Sequence, residues 1–180
     1  YALENRSALS RVLPELFREH KTTKLGGFFN SMMQAFLEIA PQGKEQPRIV
    51  LLTPGPRNET YFEHAFLASY MGFTLAQGDD LVARDGFVWI KTVEGLEKVD
   101  IILRRVDDSY CDPLELREDS HLGIPGLLEV IRKGNVAIAN PLGSSIVESA
   151  GLVPFLPAVA KHFLGTDLIM PTIATWWCGQ

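Results

Sequence analysis

Ile49-Val50-Leu51-Leu52-Thr53-Pro54-Gly55-Pro56-Arg57-Asn58-Glu59 is the stretch on which the fold turns. Its first four residues form a short, unbroken apolar run. That pattern fits a strand buried on both faces, as in a parallel sheet, rather than one with a wet side. Thr53-Pro54-Gly55-Pro56 ends the run. A helix is then expected from about Asn58 to Tyr70. Thr60 and Glu63 have the spacing of a capping box, and Phe62, Ala65, Phe66 and Ser69 mark the packed side. Gly72 closes the helix and Phe73–Ala76 reads as the next strand.

Further along, Leu81–Arg84 and Phe87–Lys91 flank Asp85-Gly86, a pair suited to a type I′ turn because both central residues need positive φ. This reads as a β-hairpin inserted on the solvent side. Ile101-Ile102-Leu103 is a third buried strand, followed by Arg104-Arg105-Val106-Asp107-Asp108. Pro125 opens a helix over Leu127, Leu128 and Ile131 that ends at Gly134. Val136–Ala139 is a fourth strand. A last helix carries Leu152, Phe155, Leu156, Val159 and Phe163 to Gly165, and Thr172–Trp177 is expected to be extended.

Before the deciding stretch, Leu9, Val12, Leu13, Leu16 and Phe17 predict a helix over 8–20, interrupted at Pro14. Phe28, Phe29, Met32, Met33, Phe36, Leu37 and Ala40 predict a second helix over 26–40, stopped by Pro41 and followed by the polar link Gln42–Pro47. Such a Met and Phe stripe is a core-facing stripe. Strands alternating with helices imply right-handed crossovers. The expected class is α/β: a three-layer parallel sheet with helices on both faces, an inserted β-hairpin and an N-terminal helical pair. The expected domains are a helical segment, 1–46, and a Rossmann-like domain, 47–180.

The 180 residues are 46% hydrophobic and 22% charged, which suits a packed globular chain and excludes a disordered one. Asp and Glu number 22 against 17 Lys and Arg, for a net charge of −5, and basic residues are not interleaved with aromatics. Both facts argue against nucleic-acid binding. No apolar run of 18 residues predicts a membrane span, and no signal-peptide pattern opens the chain. Cys111 and Cys178 have no metal-ligand spacing and read as reduced thiols of a cytoplasmic protein. The start at Tyr1 without Met and the apolar end at Trp176-Trp177-Cys178 suggest a piece of a longer polypeptide.

In open α/β sheets ligands bind beyond the carboxyl ends of the strands. Three loops qualify: Thr53–Asn58, Arg104–Asp112 and Asn140–Ser145. The first leads to a helix N-terminus, where N–H groups and the helix dipole favour an anion, although it equally fits a stiff turn with an ordinary cap. It is neither a dinucleotide fingerprint nor a Walker loop. In the second loop, Arg104 and Arg105 point to opposite faces of the strand, and an Arg fork grips carboxylate or phosphate. An ion-pair cluster with the neighbouring Asp residues explains the same residues. In the third, Ser144 or Ser145 is the natural N-cap. His20, His64, His121 and His162 show no metal-ligand pairing, and no Gly-x-Ser-x-Gly elbow accompanies them.

Several quoted segments resemble the circularly permuted type 2 ATP-grasp family. They are Leu3-Glu4-Asn5-Arg6, Val50–Gly55, Tyr61-Phe62-Glu63-His64, Glu94–Asp100, Arg104–Asp108, Gly134–Asn140 and Thr175-Trp176-Trp177-Cys178, in order along nearly the whole chain. Such proteins are related to glutathionylspermidine synthase and eukaryotic-type glutathione synthetase. The resemblance implies an ATP-dependent carboxylate–amine ligase that works through an acyl phosphate with Mg²⁺. It also implies that segments outside this chain supply the nucleotide clamp and metal ligands. The chain would then be the central, substrate-side region. ATP and Mg²⁺ are expected in the full-length parent and no cofactor in this piece. The partners are the remaining ATP-grasp segments and a small-molecule or peptide substrate. Where many relatives carry a Gly-Asn-Gly and Asp-Asp-Lys pattern, this chain has Gly143-Ser144-Ser145-Ile146-Val147-Glu148-Ser149, so no Lys or Asp role carries over there.

The expected ligand-facing edge is Gly55, Asn58, Arg105, Asp108, Asn140 and Ser144, all at or just beyond predicted strand ends. Gly55 would admit a ligand to the backbone, Arg105 would hold a carboxylate or phosphate, and Asp108 would receive an amine or orient Arg105. Asn140 and Ser144 would add neutral hydrogen bonds. The alternative function is a non-catalytic α/β module that docks a partner enzyme.

Overall fold

The computed structural model describes residues 2–41 and 46–179. Most of the polar link expected at 42–47 therefore lies outside the described residues. The chain divides into two units, 1–140 and 141–180.

In the first unit, helices α1 (Ala2–Val12) and α2 (Pro14–Glu19) replace the single helix expected over 8–20. Pro14 has no N–H to donate and sits at the first position of a new helix, where that absence costs nothing. Helix α3 (Gly26–Ile39) and strand β1 (Ile49–Leu52) follow as expected. Helix α4 (Tyr61–Met71) starts three residues later than its periodicity suggests and ends at Gly72, whose φ of 72° is the left-handed geometry of a C-cap. Then come β2 (Thr74–Ala76), β3 (Leu81–Arg84), β4 (Phe87–Thr92), β5 (Gly95–Val99), β6 (Ile101–Arg104), α5 (Leu127–Arg132) and β7 (Ala137–Ala139).

The seven strands of the described residues form two sheets. One is parallel, four-stranded, in the order β2-β1-β6-β7, and the other is antiparallel, in the order β3-β4-β5. Central strands β1 and β6 pair Ile49 with Ile101 and Leu52 with Arg104. All four β1 side chains are buried, which accounts for their unbroken apolar run. Ile49, Leu51 and Ile101 share a core with Phe36 of α3, Ala68 of α4 and Phe73. Burying a side chain of that size stabilises by roughly 1.5–3 kcal/mol, so this cluster fixes the sheet to α3 and α4.

The hairpin exists with its expected turn: Asp85 and Gly86 have φ of 54° and 78°. It stands apart from the parallel sheet, as expected, but not on the solvent side. β5 adds a third strand, and Leu81, Val88, Ile90 and Val99 are buried along one face. The side-chain amide of Asn135 also donates to the Gly86 carbonyl at 2.8 Å, anchoring the turn.

The second unit holds short 3₁₀ helices at Ser144–Ile146 and Ala150–Phe155, then α6 (Leu156–Leu164), capped by Gly165 at φ 70°. Residues 171–179 have no regular structure. No helix is long and apolar enough to cross a membrane among the described residues.

Candidate functional site

The order β2-β1-β6-β7 reverses between β1 and β6. From β1 the chain passes through α4 to β2 on one side, and from β6 through α5 to β7 on the other. The crevice beyond the carboxyl ends of two such strands is where an open parallel sheet takes ligands. The loop after β1 carries Gly55 and Asn58, and the loop after β6 carries Arg105 and Asp108. Asn140 follows β7, the next strand outward. Five of the six predicted residues thus share one edge of one sheet. Ser144 belongs to the second unit.

A chain of hydrogen bonds organises the first loop. Thr53 and His64 are 1% and 2% exposed. The Gly55 N–H donates to Thr53 Oγ1 at 3.2 Å, and Thr53 Oγ1 lies 2.9 Å from His64 Nδ1. On the other side of the ring, His64 Nε2 lies 3.1 Å from Thr60 Oγ1, which in turn donates to Asn58 Oδ1 at 2.6 Å. The Thr60 N–H also donates to Asn58 Oδ1, at 2.9 Å, identifying that atom as the amide oxygen. A hydroxyl has one proton, and Thr60 spends it on Asn58, so His64 Nε2 must be the donor to Thr60. A neutral His64 then accepts at Nδ1 from Thr53. Burial keeps the His64 pKa below its ordinary value, and the nearby Arg105 charge adds to this, against an opposing pull from Glu63.

This relay corrects the capping-box reading. Thr60 is the N-cap of α4 but gives the helix no side-chain cap bond, because its hydroxyl serves Asn58 and His64. The N–H groups of Asn58, Thr60 and Tyr61 are likewise satisfied inside the loop. Gly55, at φ 98°, is buried, and the place a Cβ would take is filled by the Gln77 side-chain oxygen.

The second loop separates two arginines of opposite roles. Arg104, with a side chain 10% exposed, pairs with Asp108 at 2.5 Å. It also donates to the Asn140 carbonyl at 3.1 Å and to the Val106 carbonyl at 2.5 Å. Arg104 therefore ties together the ends of β6 and β7, and Asp108 is part of that brace. Arg105 is exposed, and its side chain forms no hydrogen bond or ion pair with the described residues; its backbone N–H donates to the Leu52 carbonyl at 2.9 Å. Arg57, on the loop after β1, is likewise exposed and unpaired among them. The switch point thus carries two guanidinium groups available to an anion.

The match with known proteins falls on this same architecture. A model of the family described as circularly permuted ATP-grasp type 2 matches residues 1–180. The chain belongs to that family. Among its relatives, uncharacterized protein sll0335 of Synechocystis is 36% identical over 178 residues, covering 99% of this chain and 37% of that protein. Two uncharacterized proteins of Mycobacterium tuberculosis, Rv2567 and Rv2411c, are 38% and 35% identical, with 20% and 32% of their lengths covered. The chain thus spans between about a fifth and two fifths of the length of these relatives.

Among the described residues no group of three or more His, Cys, Asp or Glu side chains is placed to hold a metal ion, and Asp108 is engaged by Arg104.

Two structural residues escaped the sequence reading. Asp112, fully buried, accepts from the N–H groups of Leu114, Gly126 and Leu128 at 2.9–3.1 Å, so it caps α5 from a distance. His64 escaped because its partners, Thr53 and Thr60, sit on either side of a loop; only the i, i+4 spacing of Thr60 and His64 hinted at a contact. The N-cap expected of Ser144 or Ser145 is filled by Gly143, at φ 87°, while the Ser144 hydroxyl donates to Glu148 at 3.3 Å.

Proposed function

We propose that the chain is the substrate-side α/β domain of an ATP-dependent carboxylate–amine ligase of the ATP-grasp type, inactive as an isolated piece. In this reading, residues 1–46 are a helical segment and 47–180 the substrate-side domain of a cytoplasmic protein. Mg–ATP belongs to other segments of the polypeptide, and this chain binds and orients the acid. The observation that carries the reading is the Arg105 guanidinium, unpaired among the described residues, at the switch point between β1 and β6. Gly55, Asn58, Asp108 and Asn140 complete the proposed site in the first unit. Asn58 is oriented through the relay from His64, and Asp108 acts through its brace with Arg104. An Arg fork binds a carboxylate by two parallel charge-assisted bonds.

The test uses the full-length polypeptide and a panel of small carboxylic acids and peptides with amine acceptors, read as acid- and amine-dependent ADP release. Arg105→Ala should lower turnover at limiting acid while leaving the unfolding midpoint in place. Unchanged kinetics in that variant would refute the assignment.

A docking module is the second reading, favoured by one observation. Ile169, Met170, Ile173, Trp176 and Trp177 are all exposed in the second unit, and apolar exposure on this scale marks interaction surfaces. Sequence beyond residue 180 separates the two readings. A ligase parent carries Lys and Asp, Glu or Asn metal ligands there, and a docking module does not.

A further inference from the structure

The N-terminal helices build a second feature, away from the switch point. A cavity of about 500 Å³ is bounded by α1, α2, the 20–25 link and the last turn of α4. That volume lies in the range of small-molecule sites. Half-buried Phe17 and Leu25 and the ring of Tyr70 give it an apolar lining. Its charged lining is entirely basic: Arg6, Arg18 and Lys24, with no acidic side chain among the described residues that line it. In a chain of net charge −5, three cations around one cavity are a local reversal of sign.

The three differ in what they do. The Arg6 guanidinium donates to the Thr23 carbonyl, which ties α1 to the link and holds that wall in place. Arg18 and Lys24 are exposed and form no ion pair with any described residue. Apolar walls lower the local dielectric, so an anion placed against these two cations is held more strongly than on open surface.

We propose that this cavity binds a small organic anion, with its oxyanion head on Arg18 and Lys24 and its apolar body on Phe17, Leu25 and Tyr70. The head is a carboxylate or a phosphate, and the binding is independent of the Arg105 edge.

Calorimetric titration of the full chain with phenyl phosphate and with phenylacetate tests this, with inorganic phosphate and benzyl alcohol as half-ligands. One of the two organic anions should bind saturably, one to one, and the tighter of them names the head group. Each matching half-ligand should bind at least about tenfold more weakly. The double variant Arg18→Gln/Lys24→Gln should weaken the organic anion by roughly tenfold or more, since each charge-assisted bond is a strong one. Both residues are exposed, so the unfolding midpoint should hold. Arg105→Ala should leave this binding unchanged, which keeps the site distinct from the ligase reading. Absence of saturable binding by either organic anion, equal binding of inorganic phosphate, or indifference to the double variant would each overturn the proposal.

Discussion

The Thr53 hydroxyl lies 2.9 Å from His64 Nδ1, and both residues are buried. The first residue after β1 is thereby fixed to the first turn of α4 through an imidazole whose pKa burial lowers and which, when neutral, accepts from Thr53 and donates to Thr60. The loop between strand and helix gains its shape from side chains, not from a glycine-rich backbone.

That arrangement sets an acid limit. The folded-state pKa of His64 is lowered, first by burial and then by Arg105, so the unfolded chain takes up its proton at higher pH than the folded one. The stability contributed is fully present above the unfolded value, near pH 6.5, and is lost as pH falls through that value toward the lowered one. Urea midpoints measured from about pH 8 down to about pH 5 should show this decline. In His64→Gln that part of the slope should vanish. An identical pH slope in both proteins would mean that folding does not lower the His64 pKa.

Asp112 should matter for stability alone. Its carboxylate accepts three backbone N–H groups at zero exposure. Asp112→Ala strands those donors in the interior and should cost about 3 kcal/mol or more, given 1–3 kcal/mol for each unsatisfied buried group. Denaturant unfolding measures it directly. A loss under about 1 kcal/mol would mean that water replaces the carboxylate.

The parallel sheet was legible because Ile49–Leu52 and Ile101–Leu103 need apolar neighbours on both faces, and that need is written as an unbroken run. β5 was not legible, because Gly95-Leu96-Glu97-Lys98-Val99 alternates too weakly: Leu96 is exposed and only Val99 is fully buried. Its place as the third antiparallel strand turns the expected inserted hairpin into an inserted three-stranded sheet with one buried face. At the edge, strand alternation correctly separated Arg104 from Arg105, but which of them the protein uses for itself depends on where β7 ends. That is a long-range fact. The Thr60 cap failed for a related reason: a hydroxyl has one proton, and Asn58, two residues away, competes for it.

Gly78 and Gly123 should resist substitution in a way their neighbours do not. A Cβ on Gly123 would collide with the carbonyls of Tyr110 and Cys111, and one on Gly78 with those of Leu122 and Gly123. Backbone cannot rotate away as a side chain can. Gly123→Ala should therefore cost more than about 3 kcal/mol, past the usual 1–3 of an overpacked core. Gly27→Ala, in the first turn of α3 with open space around it, should instead stabilise slightly, by at most about 0.5 kcal/mol, through helix propensity. Thermal unfolding of the two variants gives opposite shifts if both statements hold.

The cysteines should split by reactivity. Cys111 is buried, and burial pushes its thiol up to about 11, while its S–H faces the Asp107 carbonyl at 3.4 Å. Cys178 is exposed. Since the thiolate is the nucleophile, a maleimide reagent at neutral pH should label Cys178 rapidly and Cys111 only after unfolding. Two fast equivalents in the native protein would contradict the burial of the loop after β6.

The two adjacent arginines make the sharpest contrast. Arg104 holds Asp108, the Asn140 carbonyl and the Val106 carbonyl from a nearly buried position. Removing it breaks an ion pair with little access to water and unties β6 from β7. Breaking such a pair from one side costs about 3–5 kcal/mol, so Arg104→Ala should lower the urea midpoint strongly. Arg105 reaches into solvent with no partner among the described residues, and Arg105→Ala should shift the midpoint by less than about 0.5 kcal/mol, the range of ordinary surface changes. In the full-length polypeptide the order should invert for acid affinity. Arg105→Ala should forfeit a charge-assisted contact of roughly 1.5–3 kcal/mol, about ten- to a hundredfold in the KM for the acid. Arg105→Lys should recover only part of it, because a point charge cannot replace the planar fork. Should Arg105→Ala unfold the protein while Arg104→Ala does not, the assignment of brace and binding group would have to be exchanged.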